Sequence, residues 1–374
     1  MPFLLLFFFI IGFLCVLLYL GAHSKDKDIS RLIIAFSLFI CAIIIGTRYN
    51  IGGDFQNYEE FFRSVNSSDF GLGERFSFEY GYYAMVSIPR DLQLGSQSFF
   101  VVSSLVTMFF FSLLFKKREW LLPMGILVFL LCTPFRFVIN GVRQGVAIFA
   151  FLNGITYIYQ NKPLRERFLG FAFWVFIASL FHTTAILYLL TFPLLENRIV
   201  KGVDRRILMI IAVGGFVLNI IGITDRVFYA EGLKAYNPLL RYLDDERFVM
   251  EQGAFGIGSY LTLFFYVFIL SYYDKVSSSY PESKAFFILL ALGLFIKYML
   301  PGNMFANRIA YYFIFGEVLV IPYFITYLIR QKDKHRTILV PLFILWYIVL
   351  FLFDYPEFVI NQVKYGATFC GFPV

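Results

Sequence analysis

Apolar stretches of near membrane-spanning length recur along the whole chain, and no other feature limits the fold so tightly. About twenty helical residues cover the hydrocarbon core of a bilayer. Runs approaching that length read as 2–21, 31–47, 98–115, 119–133, 134–160, 207–222, 258–273, 285–300, 304–329 and 337–353. Lipid offers no partner for backbone N–H and C=O groups, so each run must close its hydrogen bonds internally, as a helix. Of the 374 residues 59% are hydrophobic and only 15% charged, which fits no water-soluble class. The expected fold is therefore an all-α polytopic membrane helical bundle of about 10–12 transmembrane helices. It forms a single integral membrane domain over residues 1–374. Pro2 to Leu20 has no basic segment before it and no small-x-small cleavage site, so it reads as a retained span rather than a signal peptide.

Familiar soluble chemistries find no foothold. Cys15, Cys41, Cys132 and Cys370 are scattered, three of them within apolar runs, which implies neither a disulfide framework nor a metal site. His23, His182 and His335 show no ligand spacing, and P-loop, GxGxxG, HExxH and GxSxG elements are missing. No cofactor, no metal and no nucleic-acid partner are expected.

Basic residues orient the chain. Lys25, Lys27 and Arg31 follow the first span, and Lys116, Lys117 and Arg118 follow the third. The positive-inside rule puts both loops in the cytoplasm. Residues 48–97 then form an outer loop, with short helices expected at Phe55–Val65 and Glu79–Ile88, and 223–257 form a second outer loop. Segment 167–193 breaks the parity. A single crossing there would leave ten basic residues in later outer loops against four inside, whereas a segment that dips and returns reverses those counts. Its arms, about 167–180 and 183–193, rise roughly 17–21 Å each. Two half-helices meeting at His182-Thr183-Thr184 fit this length, as a re-entrant or broken pair; two ordinary short spans satisfy the same count. With this topology the outer loops and helix ends carry ten Arg but only two Lys. Arginine's planar fork grips phosphate and carboxylate bidentately; ordinary pairing with outer acids is the plain alternative.

Polar residues interrupt the apolar background at several places. Thr133-Pro134 reads as a cap and first turn opening a helix that continues through Tyr159, and Arg136, Asn140, Arg143, Gln144 and Ala147 fall on one of its faces. Charge at that depth marks a substrate path, or else two arginines that snorkel to headgroups. Arg48 precedes Gly52-Gly53-Asp54, where Asp54 is placed to cap the helix carrying Tyr58 or to act as a base beside a phosphate clamp. Glu79 opens the second loop helix among Tyr80, Tyr82 and Tyr83, either as a dipole partner or as an acceptor of sugar hydroxyls. His182 is either a structural residue or a base at the turn. Late in the chain Asn307, Arg308, Tyr311 and Tyr312 repeat the polar-face pattern. Deeper in that span Glu317 has no evident charged partner at its depth, with Lys297 lying too far outward, and a tyrosine or asparagine is its expected hydrogen-bond donor.

In order along the chain stand Arg48…Gly53-Asp54…Asn57-Tyr58, Glu79-Tyr80-Gly81-Tyr82, Asn140…Arg143-Gln144…Ala147, Phe181-His182-Thr183-Thr184-Ala185 and Arg308…Tyr311-Tyr312. This ordered set resembles the EpsG family of Wzy-type polymerases, which build O-antigen and exopolysaccharide chains in bacterial membranes. The resemblance implies a glycosyltransferase of the bacterial cytoplasmic (inner) membrane with its active site facing outside. Its donor is a glycan on polyprenyl diphosphate, and its acceptor is the non-reducing end of one repeat unit on the same lipid. Membrane lipid, a chain-length regulator and a flippase are the implied partners. Asp54, His182 and Arg143 are the implied catalytic residues. Arg48, Tyr58, Glu79, Arg136, Asn140, Gln144, Asn307, Arg308 and Tyr312 are the implied substrate-binding residues. Attack opposite the diphosphate needs no metal and inverts the anomeric centre. A flippase for lipid-linked sugars and a membrane acyltransferase acting on surface polysaccharide are the competing readings.

Overall fold

The computed structural model describes residues 2–65, 79–196, 200, 202–223, 256–301, 303–331, 336–365, 368–369 and 372–373. The protein is a polytopic helical membrane protein. Its helices are α1 (Pro2–His23), α2 (Lys27–Gly46), α3 (Phe55–Ser64), α4 (Tyr80–Asp91), α5 (Gln97–Phe115), α6 (Leu122–Leu131), α7 (Thr133–Asn140), α8 (Val142–Ile158) and α9 (Leu164–Ser179). They continue as α10 (Thr191–Leu195), α11 (Arg205–Ile220), α12 (Ile257–Leu270), α13 (Tyr273–Ser279), α14 (Lys284–Met299), α15 (Met304–Ile314), α16 (Glu317–Arg330) and α17 (Arg336–Tyr365). Two-residue strands at Thr368–Phe369 and Phe372–Pro373 pair antiparallel, and Tyr49 bridges to Thr368. Residues 224–255, most of the segment expected as a second outer loop, and 66–78 of the first expected one lie outside the described residues.

Among the described residues α1 from Leu5, α2 and α5 are unbroken helices long and apolar enough to cross a membrane. Three further candidates are pairs bent at short breaks: Glu119–Leu131 with Thr133–Asn140 by 60°, Ile257–Leu270 with Tyr273–Ser279 by 47°, and Met304–Ile314 with Glu317–Arg330 by 41°. Val142–Ile158, Thr183–Leu195 and Thr337–Leu352 are shorter apolar helices. Breaks of this kind at membrane depth are tolerated where protein or a water-filled cavity satisfies the opened backbone.

Two compact units are present: residues 1–192 with 328–374, and residues 193–327. In the first, α1 packs on α2 and α6, α2 on α5, α5 on α8, and α8 on α9. Small residues permit the close approaches: a Cβ on Gly46 of α2 would meet Val101 Cα of α5 at 2.5 Å. Asn153 of α8 donates to the carbonyl of Phe110 on α5 at 2.8 Å, a polar pin between two apolar helices. The ring of Phe7 stacks on Phe351 at 4.6 Å and so docks α17 on the amino-terminal helix. The second unit packs α11 on α14 and α14 on α15. There Glu317, fully buried at the bend before α16, accepts from the hydroxyl of Tyr266, the type of donor expected for it. Lys297, expected to lie too far outward, is near enough for its charge to act on Glu317.

Two sequence expectations change here. The helix expected to run from Thr133 through Tyr159 is broken, with α7 ending at Asn140, Gly141 adopting φ −98 and ψ 60, and α8 beginning at Val142. Glycine is a weak helix former. The Phe137 ring packs where a Cβ on Gly141 would sit, at 3.0 Å, which holds the break. Thr133 is the first residue of α7 rather than its cap, since Cys132 occupies the cap position in extended conformation. Segment 167–193 does turn at His182: α9 ends at Ser179, and the 3-10 helix Thr183–Leu190 packs back along α9. Phe192 lies 5.5 Å from the Phe171 ring, which closes the hairpin.

Candidate active site

Four segments distant in sequence converge within the first unit: the loop after α2, the start of α4, the α7–α8 break, and the turn after α9. Glu79 is the meeting point of the last three, and the loop after α2 joins them through Ile139 and Asn140. It occupies the cap position of α4 but makes no side-chain bond to that helix. Its Oε2 accepts from Arg143 Nη1 at 2.5 Å. Its Oε1 accepts from the Thr183 N–H at 3.0 Å and the Thr183 hydroxyl at 3.4 Å, and lies 3.2 Å from His182 Nδ1.

Backbone contacts fix this placement. The N–H groups of Gly81 and Tyr82 both donate to the Leu180 carbonyl, at 2.8 and 3.3 Å. A Cβ at 81 would stand 2.9 Å from the Phe181 ring and 3.1 Å from Leu180 O, so any side chain there would force the ring and the backbone apart. The glycine of Glu79-Tyr80-Gly81-Tyr82 is therefore what lets this segment lie flat on the His182 turn.

Glu79 is 5% exposed. Burial pushes its carboxyl upward, but the His182 hydrogen bond, the Arg143 charge and the Thr183 N–H outweigh it. They hold the group below the ordinary carboxylate range. Arg143, with a 26% exposed side chain, lies over the Tyr82 ring at 5.0 Å. Burial raises the Tyr82 phenol well above its usual value, so it stays neutral. The Tyr82 ring packs against Phe61 at 5.5 Å and Tyr58 at 6.4 Å. Tyr58 interacts electrostatically with both Arg143 and Arg48.

Arg48, expected as a phosphate clamp at the mouth, is instead 1% exposed. Its Nη1 donates to Ile45 O at 3.0 Å, its Nη2 to Ile139 O at 3.4 Å, and the guanidinium lies over the Phe100 ring at 4.9 Å. Its position ties the end of α2 to the end of α7 and gives it no open face. Burial lowers its pKa to about 10, which leaves it cationic at neutral pH. Gln97 completes this anchor by donating to the carbonyls of Gly46 and Arg48. That role leaves no mark in the sequence, because a single glutamine at a helix start has no periodic signature.

Asp54 sits at the start of α3 without capping it and accepts from Asn57 Nδ2 at 3.3 Å. Its loop is held at the neighbouring Gly53, whose N–H donates to Asn140 Oδ1 at 2.6 Å. Gly52, at φ +103, supplies the left-handed turn, and a Cβ there would meet Ile139 O at 2.7 Å. Arg136 is exposed on α7, Asn140 is half-buried at its end, and Gln144 is buried in the first turn of α8. Arg308 is exposed and Asn307 half-buried on α15 of the second unit, where Tyr312 is fully buried. Among the described residues no group of three or more His, Cys, Asp or Glu side chains is placed to hold a metal ion.

A model of the EpsG family matches residues 30–364, nearly the whole chain. The chain belongs to the EpsG family. Membership brings with it a membrane role of the polysaccharide-polymerase type. No curated protein and no solved structure matches the chain. Of the segments that resemble EpsG motifs, those at 48–58, 79–82, 140–147 and 181–185 come together around Glu79 and Arg48, and the fifth, at 308–312, belongs to the second unit.

Proposed function

We propose that this EpsG-family protein is a glycosyltransferase that polymerises lipid-linked repeat units on the outer face of the bacterial cytoplasmic membrane. The observation that carries the reading is the binding of Arg143 and His182 to one buried carboxylate, that of Glu79. A cation for a departing diphosphate and a base for an attacking hydroxyl are thereby held beside each other.

The Glu79 contact favours the His182 tautomer with its proton on Nδ1, donating to Oε1, which leaves the Nε2 lone pair as base. His182 takes the proton of the acceptor sugar hydroxyl through Nε2. The acceptor oxygen bonds to the anomeric carbon of the donor as the bond from that carbon to the diphosphate oxygen breaks. The electron pair leaves with polyprenyl diphosphate. Arg143 meets the negative charge that grows on this leaving group, in a partly dry setting where such an interaction is strong. Glu79 is a positioning residue in this scheme, because its oxygens are engaged by Arg143, His182 and Thr183 rather than turned to sugar hydroxyls. Asp54, half-buried near Asn140, is the alternative base, and Arg136, Asn140 and Gln144 are the nearest candidates for further contacts to the donor.

The test is extension by purified protein in detergent, supplied with polyprenyl-diphosphate-linked repeat units. Wild type should yield a ladder above one unit, which a flippase or an acyltransferase cannot produce. His182→Ala should bind donor without extending it while Asp54→Asn still extends. A normal ladder from His182→Ala would transfer the base role to Asp54, and no ladder from wild type would overturn the polymerase reading.

A further inference from the structure

The two helices that Gln97 joins, α2 and α5, carry a second feature at their other ends. Helices α2 and α5 lie side by side, with the α2 carboxyl end and the α5 amino end joined by Gln97 at the candidate active site. At the opposite ends a groove of about 330 Å³ opens between them. Its walls are apolar: Ile34, Ala35 and Leu38 from α2, and Leu105, Met108 and Leu113 from α5. Arg31, Lys116 and Glu119 stand at its rim.

Shape and charge together select the occupant. The α2 wall runs from Arg31 to Phe39, a rise of about 12 Å. One leaflet of hydrocarbon is roughly 15 Å deep. The slot therefore has the length of part of one acyl chain lying along a helix. Its mouth is where α2 begins and α5 ends in basic sequence, Lys25, Lys27 and Arg31 on one side and Lys116 and Lys117 on the other, while Arg118 is buried. The acids on the α2 side are already engaged: Asp26 accepts from the N–H groups of Asp28 and Ile29, and Asp28 pairs with Arg31 at 3.2 Å. Glu119 is the one carboxylate on the rim itself. A cationic mouth over an apolar slot matches an anionic diacyl phospholipid, whose phosphate meets Arg31 and Lys116 while one chain fills the groove.

We propose that this groove is a retention site for an anionic phospholipid, set at the far end of the helix pair that carries the candidate active site. The proposal does not depend on the reaction assigned above. Its distance along α2 from Arg48 makes it a brace for the helix pair rather than part of the chemistry.

The test uses the full chain in nanodiscs made from phosphatidylglycerol and phosphatidylcholine with identical acyl chains. Lipid retained after extraction into detergent is counted by native mass spectrometry. Wild type should keep phosphatidylglycerol over phosphatidylcholine by roughly thirtyfold, in line with two basic contacts at a membrane surface. Arg31→Gln with Lys116→Gln should bring the two lipids to parity. Ala35→Phe, which keeps both charges but fills the slot, should lose retained lipid of either kind, and Glu119→Gln should raise the preference for phosphatidylglycerol. Soluble glycerol phosphate should not displace the lipid, since it lacks the chain. Equal retention of both lipids by wild type overturns the proposal. So does a preference that survives in Ala35→Phe or in the charge-neutral double variant.

Discussion

Glu79→Gln is the substitution that most directly probes how the candidate site is built. It removes one negative charge while keeping the size of the side chain and an oxygen for the Thr183 N–H. In the wild type Arg143 Nη1 lies 2.5 Å from Oε2, with a 6% exposed Glu79 side chain and a 26% exposed Arg143 side chain. Opposite charges about 4 Å apart at an effective dielectric near 20 interact by about 4 kcal/mol. The part-exposure of Arg143 reduces this to about 2–3 kcal/mol of destabilisation, since screening discounts exposed pairs. Arg143→Gln should cost a similar amount, because it strands a buried carboxylate. The double variant then decides the matter. If the two groups act on each other, its loss is smaller than the sum of the single losses by about 2 kcal/mol. Reversible unfolding in mixed detergent micelles measures all four corners of this cycle. Losses that add to within about 0.5 kcal/mol would refute the coupling and the ion pair with it.

Arg143→Lys keeps the charge but loses the planar fork, so extension of lipid-linked units should fall at least about tenfold at unchanged protein level, read from the polymer ladder. Because the Glu79 carboxyl is held below its ordinary range, its contribution to stability is complete above the usual carboxylate titration. That contribution disappears as pH falls through the lowered value. The apparent melting temperatures of wild type and Glu79→Gln should accordingly differ most near neutral pH and converge in acid. Gly81→Ala places a Cβ against the Phe181 ring and Leu180 O; about 1–3 kcal/mol of stability should be lost, and the His182 ring resonances should move as its contact to Glu79 loosens. Tyr266→Phe removes the hydrogen bond to buried Glu317; unfolding should show a loss of about 1–3 kcal/mol, with Tyr266→Phe/Glu317→Leu less destabilised than Tyr266→Phe alone.

The sequence by itself determined that this is a helical membrane protein, because runs such as Pro2–Leu20 and 98–115 are too apolar for water and too long for anything but a span. It also marked loop helices at Phe55–Val65 and Glu79–Ile88, close to the observed Phe55–Ser64 and Tyr80–Asp91, and offered a turn at His182 as one of two ways to satisfy the charge count. It singled out Glu79, Arg143 and His182 as candidates too, since arginine, glutamate and histidine stand out against so apolar a background. What it did not determine was which of these groups meet. One helical face was expected to carry Arg136, Asn140, Arg143 and Gln144 together, yet the break at Gly141 splits that stripe. Periodicity reports spacing along an axis and is silent on where the axis bends. Arg48 and Arg143 look alike in sequence, but one is buried against backbone carbonyls and Phe100 while the other is part-exposed on Tyr82. Glu79 lies 64 residues from Arg143 and 103 from His182. Only the packing of α4 onto the turn after α9 brings the three together, because contacts across such separations depend on the whole fold and leave no local pattern to read.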